Sequence, residues 1–466
     1  MITGLLTVFL AGYFAAPSAR ALALGGVPLS GYQDPATSWL NPAFLSVKQE
    51  SHVQLGHVET PIGVPAVISR YKVIDSLSRQ DDFRSRYNLG YYVLPIINSQ
   101  SNVFSPNVLY DFFFSDRTLS DADKEAFLSK FKDGYATLRT DLGLFDLNVS
   151  SGGFNISLSH TTYLKFRIPR PIFELVLYGN ELDRRYSLNS NNTYFEELSS
   201  VNLSVAYSHE FDVKGIPVSL GAGLRFTRVI PFSELVQATG DEAPPFEFGY
   251  LRLNSIDFSV LTDTEKIVIE GGRTELLFGA GKVATGVDIG LVASPYPDLN
   301  IGFALVNIGA RLNFTSNDSM MVMIFGADTI EGIFGDSVEI EPDTVFTVSA
   351  EGQSASMPHI ARLTATYQFS DIPTTPSVGA ELRFVLNESM ALNKGTILSL
   401  ATEVHPTTWL PLRFSLSFGD PDGVLIGYGF GLRLKGMHFD FGFQNVGGLG
   451  AGSRGGRMIS NFWFSI

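Results

Sequence analysis

Several features are absent or scarce in this sequence of 466 residues. It contains no cysteine, which excludes disulfide bonds and thiol catalysis. Charged residues make up 17% of the chain, against roughly 25% in ordinary soluble domains. The net charge of −14 argues against nucleic acid or an anionic membrane surface as a partner, because both favour basic patches.

Long hydrophobic runs are also missing. Beyond the first twenty residues, no stretch reaches the roughly 18 consecutive apolar residues of a membrane helix. A membrane-embedded form of this chain would therefore have to cross the bilayer as β-strands. The chain nevertheless holds 45% hydrophobic residues and 37 phenylalanines against 3 tryptophans, so a large apolar surface has to be covered.

Catalytic and metal-binding spacings are lacking as well. None of the seven histidines stands in a Ser/His/acid or metal-ligand pattern. The Gly-x-Gly runs lie inside alternating segments and have no following helix that could bind phosphate. We therefore expect no catalytic residue, no metal, no cofactor and no enzymatic activity.

The N-terminus resembles an export signal. Leu5 to Ala16 is apolar and is followed by the small residues of Pro17-Ser18-Ala19, which is too short a segment to span a bilayer. No basic residue precedes Arg20, which is atypical of a signal peptide. We predict a signal peptide over residues 1–18, with a buried N-terminal helix as the alternative.

The clearest structural signal is strict alternation between Gly423 and Phe443. Apolar and aromatic side chains occupy one parity, and glycine, Arg433 and other polar residues occupy the other. A period of two indicates strands, and the Lys-Gly step in the middle indicates a tight hairpin that sets Leu434 opposite Met437. One face of this hairpin is thus continuously apolar and must be shielded from water by another layer of protein or by lipid.

The same alternation recurs along the chain in runs of about 9 to 12 residues, the length of a tilted strand that crosses a bilayer. Since every backbone amide in lipid needs a partner, such a sheet must close. The prediction is an all-β transmembrane antiparallel barrel over residues 51–466, with 14 strands and 16 as the alternative. Short helices are predicted in connections at Ser120–Leu138 and Pro171–Tyr178.

The polar parity of these strands predicts a set of charged residues that face the lumen. They could line a pore or hold an inserted segment, or they could simply be solvated and paired across strands; the sequence leaves both open. The predicted lumen-facing residues are Arg225, Asp288, Arg362, Glu381, Arg383, Glu403, Arg413 and Arg433.

The C-terminal strand carries a further signature. Phe462, Phe464 and Ile466 share one parity. Bacterial outer-membrane barrels typically end in such a strand, and the barrel assembly machinery reads it. A terminal Ile in place of Phe or Trp is a departure from that pattern, and an ordinary buried strand is the alternative.

Two patterns carry a family resemblance. The N-terminal run Ala19-Arg20-Ala21-Leu22-Ala23-Leu24-Gly25-Gly26, then Asp34-Pro35-Ala36 and Asn41-Pro42-Ala43, resembles the mature N-terminus of the long-chain fatty acid transporter (FadL) superfamily and of the related PorV-type barrels. The block from Leu144 to Phe211, with Phe154-Asn155-Ile156 and Leu177-Tyr178-Gly179-Asn180, resembles an uncharacterised subgroup of the same superfamily.

This resemblance implies that residues 19–50 form a hatch in the lumen, with Trp39, Asn41, Pro42, Ala43 and Phe44 as its main residues. It implies a channel in the outer membrane of a Gram-negative-type bacterium that takes up hydrophobic small molecules. A PorV-like barrel that anchors or shuttles secreted proteins is the alternative. The expected partners are membrane lipid, the barrel assembly machinery and either a hydrophobic ligand or an exported protein.

Overall fold

The structure is a computed structural model of the 466-residue chain. It describes residues 18–29, 35–47, 88–101, 103, 119–143, 146–151, 153–178, 184–189, 191–230, 249–256, 258–262, 266–326, 328–331, 342–372, 374–389, 392–407, 409–419, 423–434, 437–448 and 453–465. Most of the predicted signal peptide, residues 30–34 and 48–50 of the predicted hatch, residues 51–87 and the terminal Ile466 lie outside these ranges. The predicted domain boundaries stay predictions.

Strands dominate the described residues. In chain order they are β1 (Asn88–Ser101), β2 (Tyr135–Gly143), β3 (Asp146–Ser151), β4 (Phe154–Pro169), β5 (Arg184–Leu188), β6 (Tyr194–Val213), β7 (Ile216–Val229), β8 (Tyr250–Ile256), β9 (Phe258–Thr262), β10 (Lys266–Glu270), β11 (Gly272–Phe278), β12 (Val283–Tyr296), β13 (Leu299–Ile308), β14 (Arg311–Asn313), β15 (Ser319–Phe325), β16 (Asp328–Glu331), β17 (Thr344–Ser349), β18 (Ser354–Ser356), β19 (Ile360–Gln368), β20 (Ser377–Val385), β21 (Gly395–Thr407), β22 (Leu410–Gly419), β23 (Gly423–Leu434), β24 (Met437–Val446) and β25 (Gly455–Ser465).

The described helices are short. They are α1 (Ala19–Ala23), α2 (Asp121–Leu128) and α3 (Arg170–Tyr178), with two 3-10 helices, η1 (Pro35–Trp39) and η2 (Pro42–Leu45). Among the residues that the structure describes, no helix is long and apolar enough to cross a membrane.

Antiparallel pairing closes the sheet into a barrel. From β1 it runs to β2 and β3, which lie end to end, then to β4, β6, β7, β12 and β13. It continues through β19 to β25 in order, and β25 pairs with β1 again. With β2 and β3 taken as one, this circuit passes through fourteen strand positions of the described chain. The predicted closed antiparallel barrel is confirmed, while the exact strand number stays a prediction.

Side-chain burial is inverted relative to a soluble sheet. In β23, Tyr428 and Leu432 are about two-fifths exposed, whereas Leu425 and Arg433 on the opposite face are nearly inaccessible. The same inversion holds around the barrel, where large apolar residues face outward and Ser, Asn, Asp, Glu and Arg face inward. So large an exposed apolar surface on a closed sheet is covered by lipid. The barrel is therefore a transmembrane one.

The two ends of the barrel differ in their connections. At one end the barrel strands are joined by short links, such as 214–215 between β6 and β7 and 297–298 between β12 and β13. At the other end they are joined by long segments, such as 230–282 and 309–359. Outer-membrane barrels have short periplasmic turns and long external loops, so we call these ends the inner and outer ends.

The outer end carries additional sheet. β8 pairs with the first residues of β6, and β11, β15 and β17 extend it in turn. A second sheet is built from β5, β9, β10 and β16, and β14 pairs with β18. The described residues of the long outer connections are thus largely β-structure.

One predicted helix is much shorter than expected. The sequence predicts a helix over Ser120–Leu138, but α2 ends at Leu128 and β2 begins at Tyr135. Ser120 and Asp123 form the capping box that starts α2. Gly134, with φ of 78°, precedes the strand. The second predicted helix agrees closely with α3, which begins one residue earlier at Arg170.

Candidate functional site

The N-terminal part of the chain lies inside the barrel. We call residues 18–29 and 35–47 the inner segment. Almost all of its described side chains are buried, although it contributes no strand to the wall. Its α1 lies against β22 to β25, and η2 lies against β6, β7 and β12 on another part of the wall. The inner segment therefore spans the lumen between two regions of the wall.

The first contact region is built from small residues. Ser18, the last residue of the predicted signal peptide, caps α1 by accepting a hydrogen bond from the Ala21 backbone N–H at 3.1 Å, a contact that cleavage after Ser18 would remove. The Ala19 backbone N–H donates to Asn461 Oδ1 at 2.9 Å. A β-carbon on Gly427 would lie 2.7 Å from the Ala23 carbonyl oxygen, so only glycine permits this approach.

An ion-pair cluster holds the same region. Arg20 of the inner segment donates to both carboxylate oxygens of Glu403, at 3.0 and 3.1 Å. Arg413 donates to Glu403 and to Asp440, each at 2.5 Å. All four side chains are almost fully buried. Buried charges are tolerated only when paired, so loss of Arg20 would leave Glu403 with one guanidinium fewer.

A second ion pair lies beneath the turn that follows α1. Arg362 Nη1 donates to both Glu381 oxygens, at 2.7 and 2.9 Å. A β-carbon on Gly26 would lie 3.3 Å from Arg383 Nη1 and 3.4 Å from Arg362 Nη1. Gly26 also has φ of 92°, a conformation that favours glycine. The turn thus rests directly on the charged wall.

The side-chain contacts of Asn41 show why asparagine stands first in the Asn-Pro-Ala motif. Its Oδ1 accepts the Ala43 N–H at 2.9 Å and so caps η2, where Pro42 takes the first position. Its Nδ2 donates to the carbonyls of Leu291 and Phe303, at 3.4 and 3.2 Å. One side chain therefore both starts a helical turn and attaches it to two wall strands.

Two wall glycines make room for this turn. A β-carbon on Gly221 would lie 2.4 Å from the backbone of Pro42 and Ala43, and one on Gly290 would lie 2.0 Å from Asn41 Oδ1. Real β-carbons do not come so close to other heavy atoms. These glycines of β7 and β12 form a seat for the motif.

Trp39 is held by Arg225. The Arg225 guanidinium lies 4.2 Å from the centre of the Trp39 ring, and its Nη2 donates to the Trp39 carbonyl at 2.8 Å. Its Nε donates to Asp288 Oδ2 at 2.5 Å, and Asp288 Oδ1 accepts the Asn307 N–H at 2.6 Å. Beyond the ring, Phe44 packs with Val47 and wall residue Val292.

We expect Arg225→Leu to loosen the Trp39 end of the inner segment, because it removes the cation–π contact and leaves Asp288 buried with one partner fewer. Acrylamide quenching of Trp39 fluorescence, measured in a Trp409→Phe, Trp463→Phe background, should increase at least twofold. Arg228→Leu is the matched control, since Arg228 lies on the same strand and faces outward. Equal quenching in both variants would contradict the anchoring role of Arg225.

The structure places all the predicted lumen residues on the inner face and brings six of them into direct pairs: Arg225 with Asp288, Arg362 with Glu381, and Glu403 with Arg413. Arg383 and Arg433 are also buried there. Sequence reasoning missed Asp440 and Arg20. Asp440 stands on the polar parity of β24, so the period-two pattern could have found it, whereas nothing in the sequence marks Arg20 as a partner of Glu403.

The predicted C-terminal signature lies in β25. The Phe462 ring is 5.0 Å from that of Phe439 on β24, and the Phe464 backbone pairs with Met437 and Leu89. Its role as an insertion signal stays a prediction.

An apolar region, which we call the outer cluster, lies at the outer end. It joins buried residues of barrel strands to residues of the long connections. Its members are Tyr163, Leu198, Val229, Tyr250, Leu277, Ala284, Ala310, Leu312, Phe314, Met320, Val322, Ala350, Ala355 and Met357.

Polar side chains form part of the border of the outer cluster. The Tyr250 hydroxyl donates to Glu196 Oε1 at 2.8 Å, and the Tyr194 hydroxyl donates to the other oxygen of the same carboxylate. Burial and the neighbouring Glu196 charge raise the pKa of Tyr250 well above its ordinary value. Tyr250 therefore stays a neutral hydrogen-bond donor.

The charged lumen offers no metal site among the described residues, where no three His, Cys, Asp or Glu side chains are grouped to hold an ion.

Comparison with known proteins gives similarity in fold only. No protein-family model and no curated protein matches the chain. Among solved structures it is similar to the Ralstonia pickettii toluene transporter TbuX, with 12% identity and a TM-score of 0.43 over 97% of this chain and 98% of that one. It is also similar to the monoaromatic hydrocarbon channel CymD, with 9% identity and a TM-score of 0.46 over 98% of both chains. A Pseudomonas aeruginosa FadL homologue shows 12% identity and a TM-score of 0.35 over 98% and 97%.

At such identities the similarity concerns the fold alone, and the site is defined by the contacts of this chain. Those contacts describe a transmembrane antiparallel β-barrel that holds its own N-terminal segment across a charged lumen, beneath an apolar cluster at the outer end.

Proposed function

We propose that this protein is an outer-membrane channel for hydrophobic small molecules, in which the inner segment acts as a hatch. The observation that carries the proposal is the way the inner segment is held. Its described contacts with the wall include single ion pairs, hydrogen bonds and close glycine seats, and no strand pairing ties it down. A segment held in this way can leave without breaking the barrel circuit.

The outer cluster is the proposed first binding region. A hydrophobic solute gains roughly 25 cal/mol for each Å² of apolar surface that it buries. The side chains of the outer cluster, such as Tyr163, Leu277 and Phe314, are buried against one another in this structure, so the cluster would offer them to a solute once it opens. The charged lumen below is unfavourable for the same solute. Passage therefore needs either displacement of the inner segment or a way through the wall.

The wall has an irregular point that supports the second route. Between Tyr92 and Ile97 the register of β1 against β25 shifts twice, so that β1 contains two more residues than its partner over this stretch. Pro95, which lacks a backbone N–H, lies within it. We include this stretch as a proposed lateral exit into the membrane.

The predicted rival, a barrel that anchors or shuttles secreted proteins, gains no support from any contact of the described residues. Insertion by the barrel assembly machinery and an outer-membrane location in a Gram-negative-type bacterium belong to the present proposal.

Ligand binding tests the proposal directly. Purified protein in detergent should bind the apolar fluorophore N-phenyl-1-naphthylamine saturably, with displacement by toluene or decane. Phe314→Ala should weaken this binding at least tenfold, since one buried aromatic side chain contributes about 1.5–3 kcal/mol. Leu224→Ala, on the lipid-facing side of β7, is the control and should leave it unchanged. The absence of saturable binding, or equal loss in both variants, would count against the proposal.

A further inference from the structure

The connection between β20 and β21 reaches across the outer mouth of the barrel. Its described residues, 386–389 and 392–394, are called the strap here. Lys165 Nζ on β4 donates to Glu388 Oε1 of the strap at 3.3 Å, and Arg139 Nη2 lies 4.0 Å from the same oxygen. β4 is third and β20 ninth in the circuit of strand positions, so this bond joins nearly opposite walls.

The strap is fixed at its base and holds its own acid in position. The Asn387 side chain accepts the His359 N–H at 2.7 Å and donates to the Met357 carbonyl at 2.9 Å. The Lys394 backbone N–H donates to Glu388 Oε2 at 3.1 Å, which leaves Oε1 directed to Lys165. The Glu388 Oε1 contact is therefore the part of the described strap that depends on the opposite wall.

The strap also covers apolar surface. Leu392 packs against the outer cluster and against a smaller group of Ala304, Val306 and Ile360. A hydrophobic solute that approaches from outside meets this side chain at the mouth. Displacement of the strap would expose the same apolar surface that the solute seeks.

The two partners of the ion pair that holds the strap differ in solvent exposure. The Lys165 side chain is 5% exposed, whereas that of Glu388 is 55% exposed. Water can replace the carboxylate at the exposed side, so this ion pair is screened and weak. The buried Lys165 ammonium is nevertheless costly to leave unpaired, which favours return of the Glu388 carboxylate.

We propose that Lys165 and Glu388 form a latch that closes the outer mouth, and that this latch must open before a hydrophobic molecule reaches the outer cluster. This inference rests on the proposed channel function. In this proposal the strap is the gate at the outer end of the barrel. It is distinct from the hatch, which is formed by the inner segment inside the lumen.

The first test measures the strap without transport. Because the chain has no cysteine, Asn393→Cys gives a single label site on the strap. Glu388→Gln should raise the rate of its labelling by a membrane-impermeant maleimide at least fivefold on intact cells. Glu351→Gln, an exposed acid on another outer connection, is the matched control and should not change it. Equal rates for Glu388→Gln and Glu351→Gln would overturn the latch.

A second test closes the latch. In a Lys165→Cys, Glu388→Cys variant, a cleavable bis-thiosulfonate that spans the two thiols should reduce uptake of radiolabelled decane at least tenfold, with recovery on reduction. Heat-modifiable migration on gels shows that each variant is folded. Undiminished uptake in the cross-linked protein would refute the gate. If the wild type neither binds nor takes up decane, the channel proposal fails, whereas the labelling result still decides the latch.

Discussion

Deletion of residues 22–44 should convert the barrel from a nearly closed to an open pore, with an increase of at least tenfold in single-channel conductance in planar bilayers. The deletion removes most of the inner segment but no strand, so the strand-to-strand pairing of the described barrel remains. The newly exposed wall surface is charged and polar, with Glu381, Arg362 and Glu403 among its side chains, and it would hydrate as the segment leaves.

The control for this deletion is membrane insertion. Heat-modifiable migration and the amount of protein in the membrane should match those of the wild type, because the lipid-facing surface is unchanged. Uptake of decane by intact cells should change in the same variant. An unaltered conductance, with insertion intact, would mean that the inner segment is not the barrier and that the hatch role is wrong.

Gly221→Ala should produce the second-largest effect, the partial release of the Asn-Pro-Ala turn. The added carbon would lie 2.4 Å from the backbone of Pro42, a contact that a flexible side chain cannot relieve. Overpacking of this kind costs about 1–3 kcal/mol. The ratio of open to closed states should therefore increase between about fivefold and 150-fold, since 1.4 kcal/mol corresponds to a factor of ten.

Noise analysis of channel currents measures this ratio. Gly456→Ala is the matched control: its added carbon would meet nothing closer than the Phe443 ring at 3.4 Å, an ordinary contact. Gly290→Ala should repeat the effect of Gly221→Ala, because it disturbs Asn41 from the neighbouring strand. If the current noise were equally low in all three variants, the Asn-Pro-Ala turn would not form part of the barrier to conduction.

The fold was largely predictable from alternation. Each strand has an apolar face toward lipid and a polar face toward the lumen. The residue type alone therefore assigns Leu432 to the outer face and Arg433 to the inner face. The predicted helix over Ser120–Leu138 was wrong in its C-terminal part, where the spacing of the apolar residues fits both a helix and the start of a strand. Phe127 and Phe131 fit a helix, but Tyr135 and Leu138 belong to a strand that follows Gly134.

The partners inside the lumen were not predictable in the same way. Inward parity identified Glu403 and Arg413, yet Arg20 meets Glu403 only because the inner segment crosses the barrel at that height. Such a contact depends on strand register and barrel circumference, which no local pattern encodes. The seat formed by Gly221 and Gly290 was equally hidden, because a glycine on a concave wall looks the same whether or not another backbone approaches it.

The sequence separation of the inner contacts has a consequence for folding kinetics. Ala19 binds Asn461 across 442 residues, and Arg20 binds Glu403 across 383. These are among the most non-local contacts that the chain could form, and β25 must be in place before the first of them exists. Loop-closure entropy opposes such contacts until the strands are assembled. The N-terminal inner segment should therefore dock last, and a slow final phase in refolding experiments should be visible through Trp39 alone.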